Sequence, residues 1–200
     1  MLYLGFTLIC LFYFFIHSAL ATTSVKWHIE ERWPYGFRYY RLGYNFIAVA
    51  GLLLIIWCYL YLPEGYVLYR PQLLTYAAGA LVMVAGLYIM YRGFKGYRLR
   101  EFLGVEALQG LHTVERLSTD GLNAWVRHPL YSGSILFLGG FVLSQGHFKA
   151  ALMTVYFILY FIIGAYFEER KLIRQFGEEY RNYQRKVGFL IPKLKKFRQG

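Results

Sequence analysis

Charge is scarce in this chain, and so are the residues that build covalent or metal frameworks. Only 16% of the 200 residues are charged, and just 11 are Asp or Glu. A soluble fold of this size needs more polar surface than that, so the water-soluble globular class is excluded. The two cysteines, Cys10 and Cys58, both fall inside apolar stretches. They read as buried, inert thiols, and no His/Cys cluster has metal-ligand spacing, so neither a disulfide framework nor a metal site is expected. No Gly-x-Gly-x-x-Gly follows a strand pattern, and no phosphate-cradling loop ends in Lys-Ser or Lys-Thr, which excludes a soluble nucleotide-binding sheet. Tandem repeats and low-complexity segments are absent as well.

What is abundant is apolar surface: 58% of the residues are hydrophobic and 20% aromatic. The expected fold is therefore all-α, a polytopic integral membrane protein with about five transmembrane helices, an interfacial amphipathic segment and a C-terminal cytoplasmic helix. Span one is Met1 to Ala21, a stretch without Asp, Glu, Lys or Arg, too long and too aromatic for a signal-peptide core. Leu42 to Leu62, Leu73 to Tyr91, Leu130 to Gly146 and Ala150 to Phe167 follow. Span four is at the short limit for crossing a bilayer, and its tight turn into span five demands an antiparallel hairpin. Between spans three and four, Phe94, Tyr97, Phe102, Val105, Leu108 and Leu111 recur at helical spacing among basic residues, as in a segment lying at the headgroups. The tail after span five keeps an apolar stripe of Leu172, Phe176, Tyr180, Tyr183 and Val187 and reads as a continuation of the same helix. Residues 1–92 are expected as an N-terminal three-helix region and 93–200 as a C-terminal core, together one structural domain.

The net charge of +11 then takes on a topological meaning. Lys26, Arg32, Arg38 and Arg41 follow span one, whereas Arg70 stands alone after span two and Lys149 alone in the hairpin turn. The connection before span four and the tail hold the other Lys and Arg residues, so alternate loops are basic. This is the positive-inside pattern for an N-terminus outside and a C-terminus in the cytoplasm, and it points to a lipid bilayer rather than nucleic acid as the partner.

Two clusters can carry chemistry. The first is Arg127-His128-Pro129-Leu130-Tyr131-Ser132-Gly133 at the start of span four. Pro129 suits the first position of a helix, and Arg127 and His128 then stand at its positive end, where an anion is held by cation, free N–H groups and dipole together. An interfacial belt of Arg, His and Tyr explains the same residues, and the heptad alone leaves both readings open. The second is Glu168-Glu169 at the end of span five. Adjacent acids at a membrane edge are explained by a cationic ligand group or an arginine, or else by a solvated helix turn pairing with Arg170, Lys171 or Arg174. His17, late in span one, is an intramembrane functional residue, a hydrogen-bonded packing histidine or an interfacial one, and the sequence leaves all three open.

Taken in order, Thr119-Asp120-Gly121-Leu122, the heptad from Arg127, an apolar hairpin, Glu168-Glu169, Phe176-Gly177, Tyr180, Tyr183 and Ile191-Pro192 resemble the membrane methyltransferase superfamily. That superfamily includes isoprenylcysteine carboxyl methyltransferase and phospholipid N-methyltransferases. His17-Ser18, Lys26, Tyr40-Arg41, Tyr44-Asn45 and Arg100 to Gly104 make the N-terminal half more similar to the methanethiol S-methyltransferase and NnrU-type branch. The resemblance implies S-adenosylmethionine as cofactor, and a lipophilic small-molecule acceptor. A thiol comes first, then a prenylcysteine carboxylate or phospholipid amine; a non-catalytic member of the branch is the alternative. It further implies Arg127 and Glu168 as catalytic, and His128, Pro129, Tyr131, Gly133, Glu168, Glu169, Tyr180 and Tyr183 as cofactor-binding. The cofactor's chemistry asks for a cation or helix N-terminus, a carboxylate and aromatic surface, which these residues can supply.

Overall fold

The computed structural model describes residues 1–95 and 117–193. The amphipathic segment expected between spans three and four lies largely outside the described residues. Those that are described form helices α1 (Leu2–Ala21), α2 (Thr23–Arg32), α3 (Pro34–Phe37), α4 (Tyr40–Tyr61), α5 (Leu73–Phe94), α6 (Pro129–Gln145), α7 (Phe148–Phe176) and α8 (Glu178–Lys186), with a short 3-10 turn at Gly121–Ala124. No named strand occurs among them, only isolated bridges at Val67–His147 and Val126–Gly188. Helices α1, α4, α5 and α7 are each long and apolar enough to cross a membrane. The fold is thus an all-α polytopic membrane protein, and a 22-residue helix such as α4 or α5 reaches about 33 Å, enough for the hydrocarbon core. With 17 residues α6 reaches about 26 Å and is the short member.

The described residues divide into two compact units, residues 1–65 and residues 66–95 with 117–193. In the first, α1 and α4 run antiparallel, and Phe6, Cys10, Phe14, Ile55 and Tyr59 are buried. Tyr13 donates to the Ala48 carbonyl at 3.1 Å, the Tyr40 hydroxyl to the Leu20 carbonyl, and His17 Nε2 shares a hydrogen bond with the Tyr44 hydroxyl at 2.9 Å. Leu8, Phe12, Phe15, Leu53, Trp57 and Leu60 stay exposed, as a lipid-facing surface requires. Both cysteines are free thiols.

The second unit is organised by close backbone approach. Gly79 and Gly86 on α5 face Gly140 and Gly133 on α6, so the two helices run antiparallel. A Cβ at Gly133 would stand 2.8 Å from the Gly86 carbonyl oxygen, and one at Gly140 would stand 2.6 Å from that of Gly79. Gly93 continues the seven-residue spacing and packs on Pro129 and Leu130. The α6–α7 hairpin expected from the tight turn is present. Gly146 closes α6 with φ +64°, where a side chain is strained, and a Cβ there would also meet the Tyr69 carbonyl at 2.3 Å. The 66–69 loop pairs with this turn, Phe148 N–H donating to the Tyr66 carbonyl at 2.9 Å and Leu68 N–H to that of Gly146 at 2.9 Å.

One expectation needs correction. The tail does not continue span five unbroken: α7 ends at Phe176, Gly177 takes φ +56° and ψ −126°, and α8 starts afresh at Glu178. The physical reason is the glycine, since only it holds that conformation without strain. The new helix suits its dipole, with Glu178 and Glu179 in its first turn and Arg185 and Lys186 in its last. The apolar part of α7 ends at Phe167, so its final turns from Glu168 onward form a polar extension beyond the hydrocarbon.

Candidate functional site

Pro129 opens α6, and His128 stands immediately before it as the N-cap residue with φ −125° and ψ 66°. That non-helical backbone lets the residues ahead of the helix pair with the chain beyond α8. Arg127 N–H donates to the Gly188 carbonyl at 2.8 Å, His128 N–H to that of Phe189 at 3.3 Å, and Ser132 Oγ to that of Leu190 at 2.7 Å. Residues 188–190 therefore form a strap across the start of α6. Lys193 secures its far end by donating to the Gln184 and Arg185 carbonyls at 2.8 and 2.9 Å.

The polar extension of α7 brings both acids to the same place. Arg127 Nε donates to Glu169 Oε1 at 2.5 Å, and its Nη1 donates to the Val187 and Gln184 carbonyls at 2.6 and 3.2 Å. His128, only 5% exposed, lies with Nε2 at 3.3 Å from Glu169 Oε1 and Nδ1 at 3.7 Å from Glu168 Oε2. Its ring stacks on Tyr131 at 5.6 Å between centroids and meets Phe189 edge-on at 5.2 Å. Tyr131 donates to Glu168 Oε2 at 3.2 Å.

The two carboxylates differ sharply in surroundings: the Glu169 side chain is 12% exposed and that of Glu168 41%. Burial works to raise the Glu169 carboxyl, but hydrogen bonds from His128 and Arg127 and the guanidinium charge prevail and hold it down to about 2. Tyr180, 1% exposed, reaches Glu169 Oε1 at 3.4 Å. Burial, and then the charge of Glu169, push its phenol above the ordinary tyrosine range.

Of the residues singled out in the sequence, Arg127, His128, Tyr131, Glu168, Glu169 and Tyr180 are brought into one cluster. Pro129 and Gly133 face α5 instead. Tyr183 is buried with Tyr180, Val187 and Phe176, and its hydroxyl holds the Asn123 carbonyl at 2.6 Å. Sequence reasoning missed Gln184, which donates to Glu169 Oε2 at 2.8 Å, and Phe189 and Ser132, which seat the strap. Ser132 lies in the heptad and was within reach of notice; nothing local marks Gln184. A cleft of about 710 Å³ lined by Thr119, Glu179, Asn182, Tyr183 and Lys186 includes none of the six clustered residues. Among the described residues no group of His, Cys, Asp and Glu is arranged to hold a metal ion.

The chain is 32% identical over 164 residues to methanethiol S-methyltransferase 1 of Bradyrhizobium diazoefficiens, covering 76% of this chain and 54% of that protein. It is 29% identical over 161 residues to a methanethiol S-methyltransferase of Crocosphaera subtropica, covering 76% of this chain and 60% of that one. Protein-S-isoprenylcysteine O-methyltransferase of Schizosaccharomyces pombe is 35% identical over 77 residues, 38% of this chain and 33% of its own. The chain thus spans 54% of the Bradyrhizobium relative's length. No solved structure matches it. The model of one family, described as NnrU protein, matches residues 5–193, and with nearly the whole sequence so accounted for, the chain belongs to the NnrU family.

Proposed function

We propose that this chain is an integral membrane methyltransferase that uses S-adenosylmethionine to methylate a small lipophilic nucleophile, first of all a thiol. The observation that carries the reading is the meeting of Arg127, His128 and Tyr131 with Glu168 and Glu169 at the end of an apolar hairpin. Relatives named methanethiol S-methyltransferase support it and favour the thiol. The Schizosaccharomyces relative favours a prenylcysteine carboxylate as the second reading, with a phospholipid amine behind it.

The residues fit the donor unevenly. Glu168, the open acid with a phenol on one oxygen, suits an ammonium or ribose hydroxyls, and the Tyr131 ring offers aromatic surface. Arg127 is committed to Glu169 and two carbonyls, so its role is to hold the site's shape. A ligand carboxylate then falls to the N–H groups of the first turn of α6. When bound, S-adenosylmethionine supplies a methyl group already activated on a sulfonium. The chain's share is to align donor and nucleophile and to exclude water, which is worth roughly 7 to 11 kcal/mol when orientation is ideal. The acceptor enters laterally from the bilayer. The donor enters from the cytoplasm, on the same side as the tail, with the N-terminus outside.

Calorimetry of the purified chain in detergent with S-adenosylhomocysteine tests the reading. Binding is expected, as is a methylated thiol when thiols, prenylcysteines and lipids are screened by mass spectrometry with labelled donor. Absence of binding, where a methanethiol S-methyltransferase binds under the same conditions, would make the chain a non-catalytic membrane protein instead.

A further inference from the structure

Both oxygens of Glu169 are taken. Oε1 accepts from Arg127 Nε at 2.5 Å, from His128 Nε2 at 3.3 Å and from the Tyr180 hydroxyl at 3.4 Å, while Oε2 accepts from Gln184 Nε2 at 2.8 Å. A carboxylate gripped at both ends cannot swing, and an ionised carboxylate can only accept. Its contact with His128 therefore requires a hydrogen on Nε2. The other ring nitrogen, Nδ1, is turned toward Glu168 Oε2 at 3.7 Å, outside hydrogen-bond reach. Tyr131 on one side and Phe189 on another fix the plane of the ring.

We propose that Gln184 is a positioning residue: by holding Glu169 Oε2 it keeps Oε1 on His128 Nε2, fixes the imidazole as the Nε2–H tautomer, and presents Nδ1 as an acceptor beside Glu168. The groups around that ring are Arg127 and Tyr131 from its own segment, Glu168 and Glu169 from α7, Tyr180 and Gln184 from α8 through Glu169, and Phe189 from the strap. An Nδ1 lone pair and a carboxylate side by side form a notch for a cationic N–H donor. This use of the notch rests on the proposed function; the tautomer and its dependence on Gln184 do not. The Gln184 carbonyl, which accepts from Arg127 and Lys193, is backbone, so a side-chain substitution leaves it in place.

Histidine 15N NMR on the full ligand-free chain in detergent micelles at mildly alkaline pH tests this, with His128→Asn identifying the signal. The expected result is a pyrrole-type Nε2 and a pyridine-type Nδ1. Gln184→Leu should raise the minor tautomer about fivefold, the ratio that one lost hydrogen bond of ordinary strength produces. Glu169→Gln, whose amide can donate as well as accept, should populate both tautomers. A pyrrole-type Nδ1 in the wild type, or an imidazolium with both nitrogens protonated, overturns the assignment. An unchanged tautomer ratio in Gln184→Leu overturns the role of Gln184. Failure of S-adenosylhomocysteine to bind with these tautomer results intact would instead reject the functional reading alone.

Discussion

Glu169 is the residue on which the cluster depends, because it compensates a guanidinium and accepts from an imidazole at once in a nearly closed space. Removing one partner of a buried pair leaves the other charge without compensation, which costs about 3–5 kcal/mol. Glu169→Ala is expected to lower the unfolding temperature of the detergent-solubilised chain markedly, and Glu168→Ala, an open acid, to leave it nearly unchanged. Equal effects would overturn the distinction between the two. The pH dependence has a definite sign. A carboxyl held at about 2 in the fold against an ordinary 4.5 contributes fully above about 4.5 and loses its contribution as pH falls toward 2. Between about pH 6 and pH 3 the wild type should lose about 2 kcal/mol more than Glu169→Gln, which has no carboxyl to protonate. Chemical unfolding at the two pH values measures the difference, and parallel losses in both proteins would show that Glu169 is not the group responsible.

Among elements, the α5–α6 pair makes a separate prediction, because its glycines are not equivalent. A Cβ at Gly86 would stand 2.6 Å from both the Gly133 carbonyl oxygen and the Phe137 nitrogen, whereas one at Gly139 meets nothing within 4 Å. Gly86→Ala forces two backbones apart and should destabilise by about 1–3 kcal/mol. Gly139→Ala, which only removes a flexible residue from a helix, should be neutral or stabilising by about 0.5–1 kcal/mol. Thermal unfolding of the two variants side by side decides, and similar values would remove the close-packed interface from the account. The sequence carries this signal in the seven-residue spacing of Gly79, Gly86 and Gly93, which a search for apolar periodicity passes over. The break at Gly177 was similarly legible, since an acidic pair directly after a glycine marks a new helix start. The spans and the hairpin were readable because hydrophobic length alone fixes them. The strap over α6 was not, because backbone pairing between residues 126–128 and 188–189 leaves no pattern in side chains. For the same reason the heptad and the acid pair could be named from sequence, while the commitment of Arg127 to Glu169 and of Tyr183 to Asn123 required their distances.

For the whole molecule the decisive question is which side of the membrane holds the cluster, because a water-soluble donor must reach it. Within the second unit α5 and α6 run antiparallel, and so do α6 and α7. The start of α6, the polar end of α7 and α8 therefore share one side, and the α6–α7 turn with the 66–69 loop takes the other. Lys and Arg are distributed to match: Arg70 and Lys149 are alone in the connections on the second side, and the other described Lys and Arg residues of this unit lie toward the first. Translocation of clustered Lys and Arg is disfavoured, so the first side is expected to be the cytoplasmic one. In a background with Cys10 and Cys58 replaced by Ala, one new cysteine is placed at either Leu68→Cys in the 66–69 loop or Asn182→Cys on α8, both exposed positions of the second unit. A membrane-impermeant maleimide added to intact cells should label Leu68→Cys and should reach Asn182→Cys only after permeabilisation. The opposite pattern would put the Arg127–Glu169 cluster outside the cell, away from any cytoplasmic methyl donor, and the proposed chemistry would fail with it.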